Sequence, residues 1–224
     1  MQIREIELLC NDLTAAAGFY SGTLELEPVM NGTGRISFRA GTSVLTFIKT
    51  AAEKPVYHFA FNITPDLIQD SLRWIQPRAG IILSGGEPIV DFPNWNAKSV
   101  YFYDAMGNVL EFIARFDLDQ ADSAPFSAKN ILCISEIGIA TGEMKKLVCE
   151  ITGKHGISPY VRQPVLRHFA ALGDEHGMFI ISEEGRNWFP AGIPSEPFFT
   201  RVKYSIHQVE KEVTFNDNSA PRRA

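Results

Sequence analysis

The stretch Val56-Tyr57-His58-Phe59-Ala60-Phe61-Asn62-Ile63-Thr64-Pro65-Asp66-Leu67 decides the fold. Val56 to Ile63 is β-prone, with Phe59 and Phe61 in one parity and His58 and Asn62 in the other, which predicts a strand. Thr64-Pro65-Asp66 then reads as a helix cap with proline in the first turn. Leu67 to Ile75 carries apolar residues at helical spacing. The same strand-to-helix passage occurs earlier. Ile3 to Cys10 alternates like a half-buried strand, Asn11-Asp12 offers a cap, and Leu13 to Leu24 presents Ala16, Phe19, Tyr20 and Leu24 on one helical face.

Each passage is followed by strands. Arg35 to Ala40 and Ser43 to Lys49 flank Gly41. Ser99 to Tyr103 and Asn108 to Ala114 flank the turn Asp104-Ala105-Met106-Gly107. The pattern is therefore a repeated unit of strand, helix and further strands, which needs a neighbour to bury its face. The polar run Asp117 to Lys129 reads as a linker. Beyond it the pattern starts a third time: a strand over Ile131 to Ala140, a helix over Glu143 to Thr152 ended by Gly153, a hairpin of Val165 to Leu172 with Met178 to Ser182, and a last strand over Thr200 to His207. The expected class is α+β: repeated βαβββ modules, two forming an open barrel, plus a third. The expected divisions are 1–116 for two modules, 117–129 for the linker, 130–212 for the third module and 213–224 for a flexible tail.

Composition sets outer limits. The 224 residues are 45% hydrophobic and 21% charged, ordinary for a globular protein with a sizeable core. The formal net charge of −5 argues against nucleic-acid and anionic-membrane partners. No apolar run approaches membrane-spanning length, and the acidic start of the chain predicts no signal peptide. Cys10, Cys133 and Cys149 are too scattered for a disulfide framework or a paired metal site. They read as small buried hydrophobes in a reducing, cytoplasmic setting.

Parity divides the strand residues into two faces. One is apolar throughout and belongs against the helices: Ile6 and Leu8, Phe38, Phe47, Phe59, Phe102, Phe112 and their neighbours. The other mixes Glu5, Glu7, Arg35, Arg39, Thr46, His58, Tyr101, Tyr103 and Glu111 with Ile3, Leu9, Val44, Ala60 and Ile113. Apolar walls with a few placed ionisable groups predict a concave cavity.

Three segments at consistent spacing resemble the vicinal oxygen chelate superfamily, which includes glyoxalase I, extradiol dioxygenases and the fosfomycin- and bleomycin-resistance proteins. They are Asp12-Leu13 through Phe19-Tyr20 to Leu24, then His58-Phe59-Ala60-Phe61, then Asp104-Ala105-Met106-Gly107-Asn108-Val109-Leu110-Glu111-Phe112. The resemblance covers residues 1 to about 115. It implies paired βαβββ modules around a divalent metal, with ligands from the first and last strands. His58 and Glu111 match ligand positions. Glu5 stands where such proteins carry His, Glu or Gln, and Thr46 falls at the fourth position. Glu5, His58 and Glu111 are thus the expected metal ligands, for Mn, Fe or Zn. A glutamate in place of a second histidine departs from the dioxygenase triad.

Glu7 and Tyr101 are the candidate proton-transfer groups. Arg35, Arg39, Tyr103 and Trp95 are the candidate substrate-binding residues. Trp95 lies in a long segment between Ile89 and Ser99 that could act as a lid. Arg186-Asn187-Trp188-Phe189-Pro190 reads as a turn whose Trp anchors the fold. An unpaired third module predicts a homodimer. Three functions are compatible with these residues. One is a metal-dependent lyase, isomerase or dioxygenase acting on a small oxygen-rich molecule. The second is a metal-free protein that sequesters a small ligand, as bleomycin-resistance proteins do. The third is a structural dimer with a vestigial site.

Overall fold

The computed structural model describes residues 1–51, 54–119, 122 and 125–216. The first unit is β1 (Gln2–Cys10), α1 (Leu13–Ala17), β2 (Glu27–Asn31), β3 (Arg35–Ala40) and β4 (Ser43–Lys49). The second is β5 (His58–Ile63), α2 (Ile68–Ile75), β6 (Ile81–Ile82), β7 (Val90–Phe92), β8 (Ala97–Tyr103) and β9 (Val109–Arg115). The third is β10 (Ile131–Thr141), α3 (Met144–Glu150), β11 (Phe169–Asp174) and β12 (Gly177–Glu183). A short ribbon, β13 (Asn187–Trp188) with β14 (Ile193–Pro194), and a hairpin, β15 (Thr200–Ile206) with β16 (Val209–Phe215), complete the chain. The α+β class with repeated βαβββ units is what the chain forms.

Local chemistry accounts for the elements. Asp12 caps α1, its carboxylate accepting the Ala15 amide at 2.9 Å. A wider helical turn, Gly18–Thr23, continues α1. Pro65 opens a 3-10 turn that leads into α2. The third helix runs on past Gly153 to His155 and stops at Gly156, whose left-handed backbone (φ 70°) ends it. Gly41, at φ 56°, turns β3 into β4 so close to β10 that a Cβ would lie 2.0 Å from the Leu132 carbonyl oxygen. Only glycine fits there.

In every unit the first strand runs parallel to the last: β1 with β4, β5 with β9, β10 with β12. The pairing between units is the finding of most consequence for the site. Among the described residues, the first unit shares no ladder with the second. Its sheet has the order β16-β15-β1-β4-β3-β2, and the larger sheet runs β11-β12-β10-β5-β9-β8-β6, with β7 also on β8. The two units that share a sheet are therefore the second and third, through the antiparallel pair β5–β10. The hairpin β15–β16 gives β1 the antiparallel neighbour that β10 gives β5. Within one chain, the third unit's first strand thus has a partner.

The apolar parity packs as the alternation predicts. Phe38 and Phe47 meet Tyr20 of the first helical segment, with ring centroids 5.3 and 5.1 Å apart. Phe112 meets Trp74 of α2 at 6.4 Å. The expected linker is partly embedded: Phe126 is buried, 5.4 Å from both Trp74 and Phe112. Residues 213–215 of the expected tail end β16, and 217–224 lie outside the described residues. Of the three cysteines only Cys10 is buried; Cys133 is half-buried and Cys149 exposed.

Candidate functional site

Both faces of β5 and β9 are covered, so every residue of these strands is buried. The parity turned away from α2 carries His58 on β5 and Glu111 on β9. β10 lies against β5 in a register that sets Glu136 opposite Ala60, one alternate residue from His58. The result is a cluster of three buried side chains. One donor atom each from His58, Glu111 and Glu136 lies within 4.8 Å of the other two.

Hydrogen bonds orient this cluster. His58 Nδ1 is 3.0 Å from the Val109 carbonyl oxygen. A carbonyl only accepts, so Nδ1 carries the proton and the Nε2 lone pair faces Glu111 Oε2 at 3.6 Å. The other Glu111 oxygen accepts from Ser99 Oγ at 2.5 Å, and the β8–β9 register sets Tyr101 directly opposite Glu111. Glu136 is paired with Arg115, the largest fully buried side chain in the described structure.

Burial governs the protonation of the cluster. It pushes the Glu111 carboxyl up, against the Ser99 bond and the Arg115 charge. It pushes Glu136 up to about 7, helped by the neighbouring Glu111 charge and opposed by Arg115. It pushes His58 down, favouring the neutral ring. The Tyr101 phenol is driven well above its ordinary value by burial and by the Glu111 and Glu136 carboxylates. A neutral imidazole with its lone pair presented and two carboxylates is a borderline-to-hard donor set suited to Mn²⁺, Fe²⁺ or Zn²⁺. Such an ion would offset the charge that burial disfavours.

The cluster opens into a cavity of about 190 Å³. Tyr101, Trp95, Phe92, Phe169, Ile180 and Trp188 form much of its wall. The His58 and Trp188 rings lie 5.4 Å apart. The segment 89–99 is no open loop. It contains β7 and a 3-10 turn, Pro93–Trp95, held against β8.

No protein-family model matches the sequence, and no curated protein does. Solved structures do match. A putative dioxygenase from Bacillus subtilis subsp. subtilis str. 168 aligns over 96% of this chain and 84% of its own, with TM-score 0.63 and 14% identity. The shared fold is the one that the resemblance to the vicinal oxygen chelate superfamily implies. Two shorter structures each match about half the chain. A glyoxalase/bleomycin resistance protein/dioxygenase from Nocardioides covers 55% of this chain and 89% of its own (TM-score 0.44, 21% identity). Lactoylglutathione lyase from Agrobacterium tumefaciens covers 53% and 97% (TM-score 0.43, 22% identity).

Within this fold, four of the residues singled out from sequence come together at the cavity: His58, Glu111, Tyr101 and Trp95. Five do not. Tyr103 packs beside the cavity wall without lining it. Glu5, Glu7, Arg35 and Arg39 belong to the other sheet. There Glu5 accepts from Thr46 at 2.7 Å and from Lys203 at 2.8 Å. Glu7, 2% exposed, accepts from Arg201 at 2.9 Å and pairs with Arg35. Arg39 is exposed.

The separation has a physical cause. Register places Glu5 and Thr46 on β1 and β4 as His58 and Glu111 lie on β5 and β9. The β15 residue standing where β10 has Glu136 is Arg201, opposite Glu7. The first sheet thus carries a guanidinium where the second carries a carboxylate. Its acidic side chains are neutralised by fixed cations, and Glu5 is held below the ordinary carboxylate range by its Lys203 and Thr46 bonds in spite of burial. Glu136 and Arg115 escaped sequence reasoning, although Glu136 is the lone charge inside an apolar strand, Ile134-Ser135-Glu136-Ile137, and Arg115 ends the apolar run Phe112-Ile113-Ala114.

Proposed function

We propose that this protein is a divalent-metal-dependent enzyme of the lyase, isomerase or dioxygenase type. Its substrate is a small, oxygen-rich organic molecule bound in the cavity beside His58, Glu111 and Glu136. The observation that carries this reading is the presentation of the cluster. Val109 fixes the His58 tautomer, so a lone pair and two carboxylates converge in a buried pocket. A bound Mn²⁺, Fe²⁺ or Zn²⁺ would supply Lewis-acid polarisation of a chelating oxygen pair. Tyr101 stays protonated at neutral pH, so it serves as a hydrogen-bond donor toward charge that develops on substrate oxygen. The aromatic wall lowers the local dielectric and strengthens that interaction.

Arg115 favours a second reading. By neutralising Glu136 it lets the pocket persist without a metal, as a metal-free binding protein requires. Elemental analysis separates the two. Protein purified without a metal-affinity tag is compared with His58→Ala and Glu136→Gln. About one transition metal per chain, lost in both variants, supports the enzyme. No metal in any of them, and no uptake of Mn²⁺, Fe²⁺ or Zn²⁺ when supplied, removes it and leaves the binding reading.

A further inference from the structure

Arg186 and Trp188 stand two residues apart in an extended segment, so their side chains leave the same side of the chain. Both line the cavity. Trp188 is only 3% exposed, and its indole N–H, fully buried, meets no acceptor among the described residues. Arg186 is half-buried, its guanidinium carbon 4.9 Å over the Phe169 ring. No carboxylate among the described residues pairs with it. The cavity's own carboxylates are engaged elsewhere, Glu111 with Ser99 and Glu136 with Arg115. An unpaired guanidinium held flat on an aromatic ring, beside a buried donor lacking an acceptor, is a recognition pair for an anionic oxygen group.

Size and shape narrow the ligand. A buried apolar cavity of about 150 Å³ accommodates benzene. The cavity here, at about 190 Å³ with aromatic walls, holds one planar ring and a small substituent. We infer that the ligand is a planar, single-ring organic acid. Its carboxylate is held by Arg186 and the Trp188 indole N–H, and its other end is directed at His58, Glu111 and Glu136. This specificity rests on the cavity being the substrate site proposed above, and is independent of whether a metal occupies it.

The test uses benzoate and its neutral isostere benzamide, titrated calorimetrically into the full-length protein. Titrations are run in chelator and again after zinc loading, with metal content measured on the same samples. In chelator, benzoate is expected to bind roughly tenfold more tightly than benzamide. Arg186→Gln loses the preference and keeps benzamide affinity. Arg186→Lys keeps part of it. Trp188→Phe weakens both ligands, because an amide carbonyl also accepts. Equal affinities, a preference that survives Arg186→Gln, or no binding of either ligand overturns the inference. A preference for benzoate in protein that takes up no metal supports it while refuting the metal-dependent reading. Metal uptake without that preference does the reverse.

Discussion

Arg115 is the cation on which the metal-free pocket depends, and Arg115→Met isolates that dependence. The methionine keeps most of the stem's volume, so its packing cost is about 1 kcal/mol. The charge cost is larger. Arg115 is fully buried and Glu136 is 4% exposed, and removing one partner of a buried ion pair costs about 3–5 kcal/mol where the other is left charged, less where it can take up a proton. That cost is pH-dependent with a definite sign. Glu136 titrates near 7 in the folded protein against an ordinary 4.5. A raised carboxyl lowers stability as pH rises from the unfolded to the folded value. At pH 5.5 Glu136 is largely protonated, so the loss on removing Arg115 should shrink to about 1 kcal/mol. At pH 8 it should be about 1.4 kcal/mol larger than at pH 5.5, because the carboxylate that ionises near 7 beside Arg115 is, once orphaned, raised further and resists ionisation. Urea denaturation of both proteins in EDTA at the two pH values measures the difference. Equal losses at pH 5.5 and 8 would refute the electrostatic account and leave only packing.

Metal affinity should rise with pH. Glu136, titrating near 7, is roughly one-eleventh ionised at pH 6 and ten-elevenths at pH 8. Zinc should therefore bind about tenfold more tightly at pH 8 in a chelator competition, and a flat or inverted profile contradicts the assignment of Glu136 as a ligand. Gly138→Ala puts a Cβ 2.7 Å from the Trp188 ring and 3.0 Å from the His58 carbonyl oxygen. It should cost about 1–3 kcal/mol and shift the tryptophan fluorescence; unchanged emission would mean that Trp188 does not bear on β10. Glu5→Gln should leave metal content intact and cost under about 1 kcal/mol, because its partners Lys203 and Arg35 are substantially exposed. Loss of metal in this variant would place the ion on the wrong sheet in the present account.

Much of the fold is legible in local sequence. The strand from His58 to Ile63, the proline that opens the next helix and the turn ending in Gly107 (φ 86°) are set by neighbours a few residues away. So is the parity that places His58 and Glu111 on one face, because β5 and β9 belong to one unit. Glu5 shows where local reading stops. It has the same place in its unit as His58, but the unit it joins is chosen by pairings across most of the chain, and alternation carries no information about those. Glu136 lies across such a pairing. Its signal, a carboxylate among Ile134, Ile137 and Ile139, was a charge that burial would not tolerate without company. The strands β2, β6 and β7 and the hairpin strand β16 are short, edge or largely exposed, and show little periodicity to read.

The antiparallel seam between β1 and β15 joins the opening strand of the chain to nearly its last one, Leu8 standing against Thr200. During synthesis β1 emerges long before its neighbour exists. At typical elongation rates the delay is on the order of ten to forty seconds. Through that interval one edge of a long strand, and likewise β5 until β10 appears, lacks its hydrogen-bonding mate. Neither half can complete a sheet by itself, so fragments severed near residue 120 should be insoluble apart and recover only when mixed. Folding of the first sheet is therefore gated by the arrival of the β15–β16 hairpin.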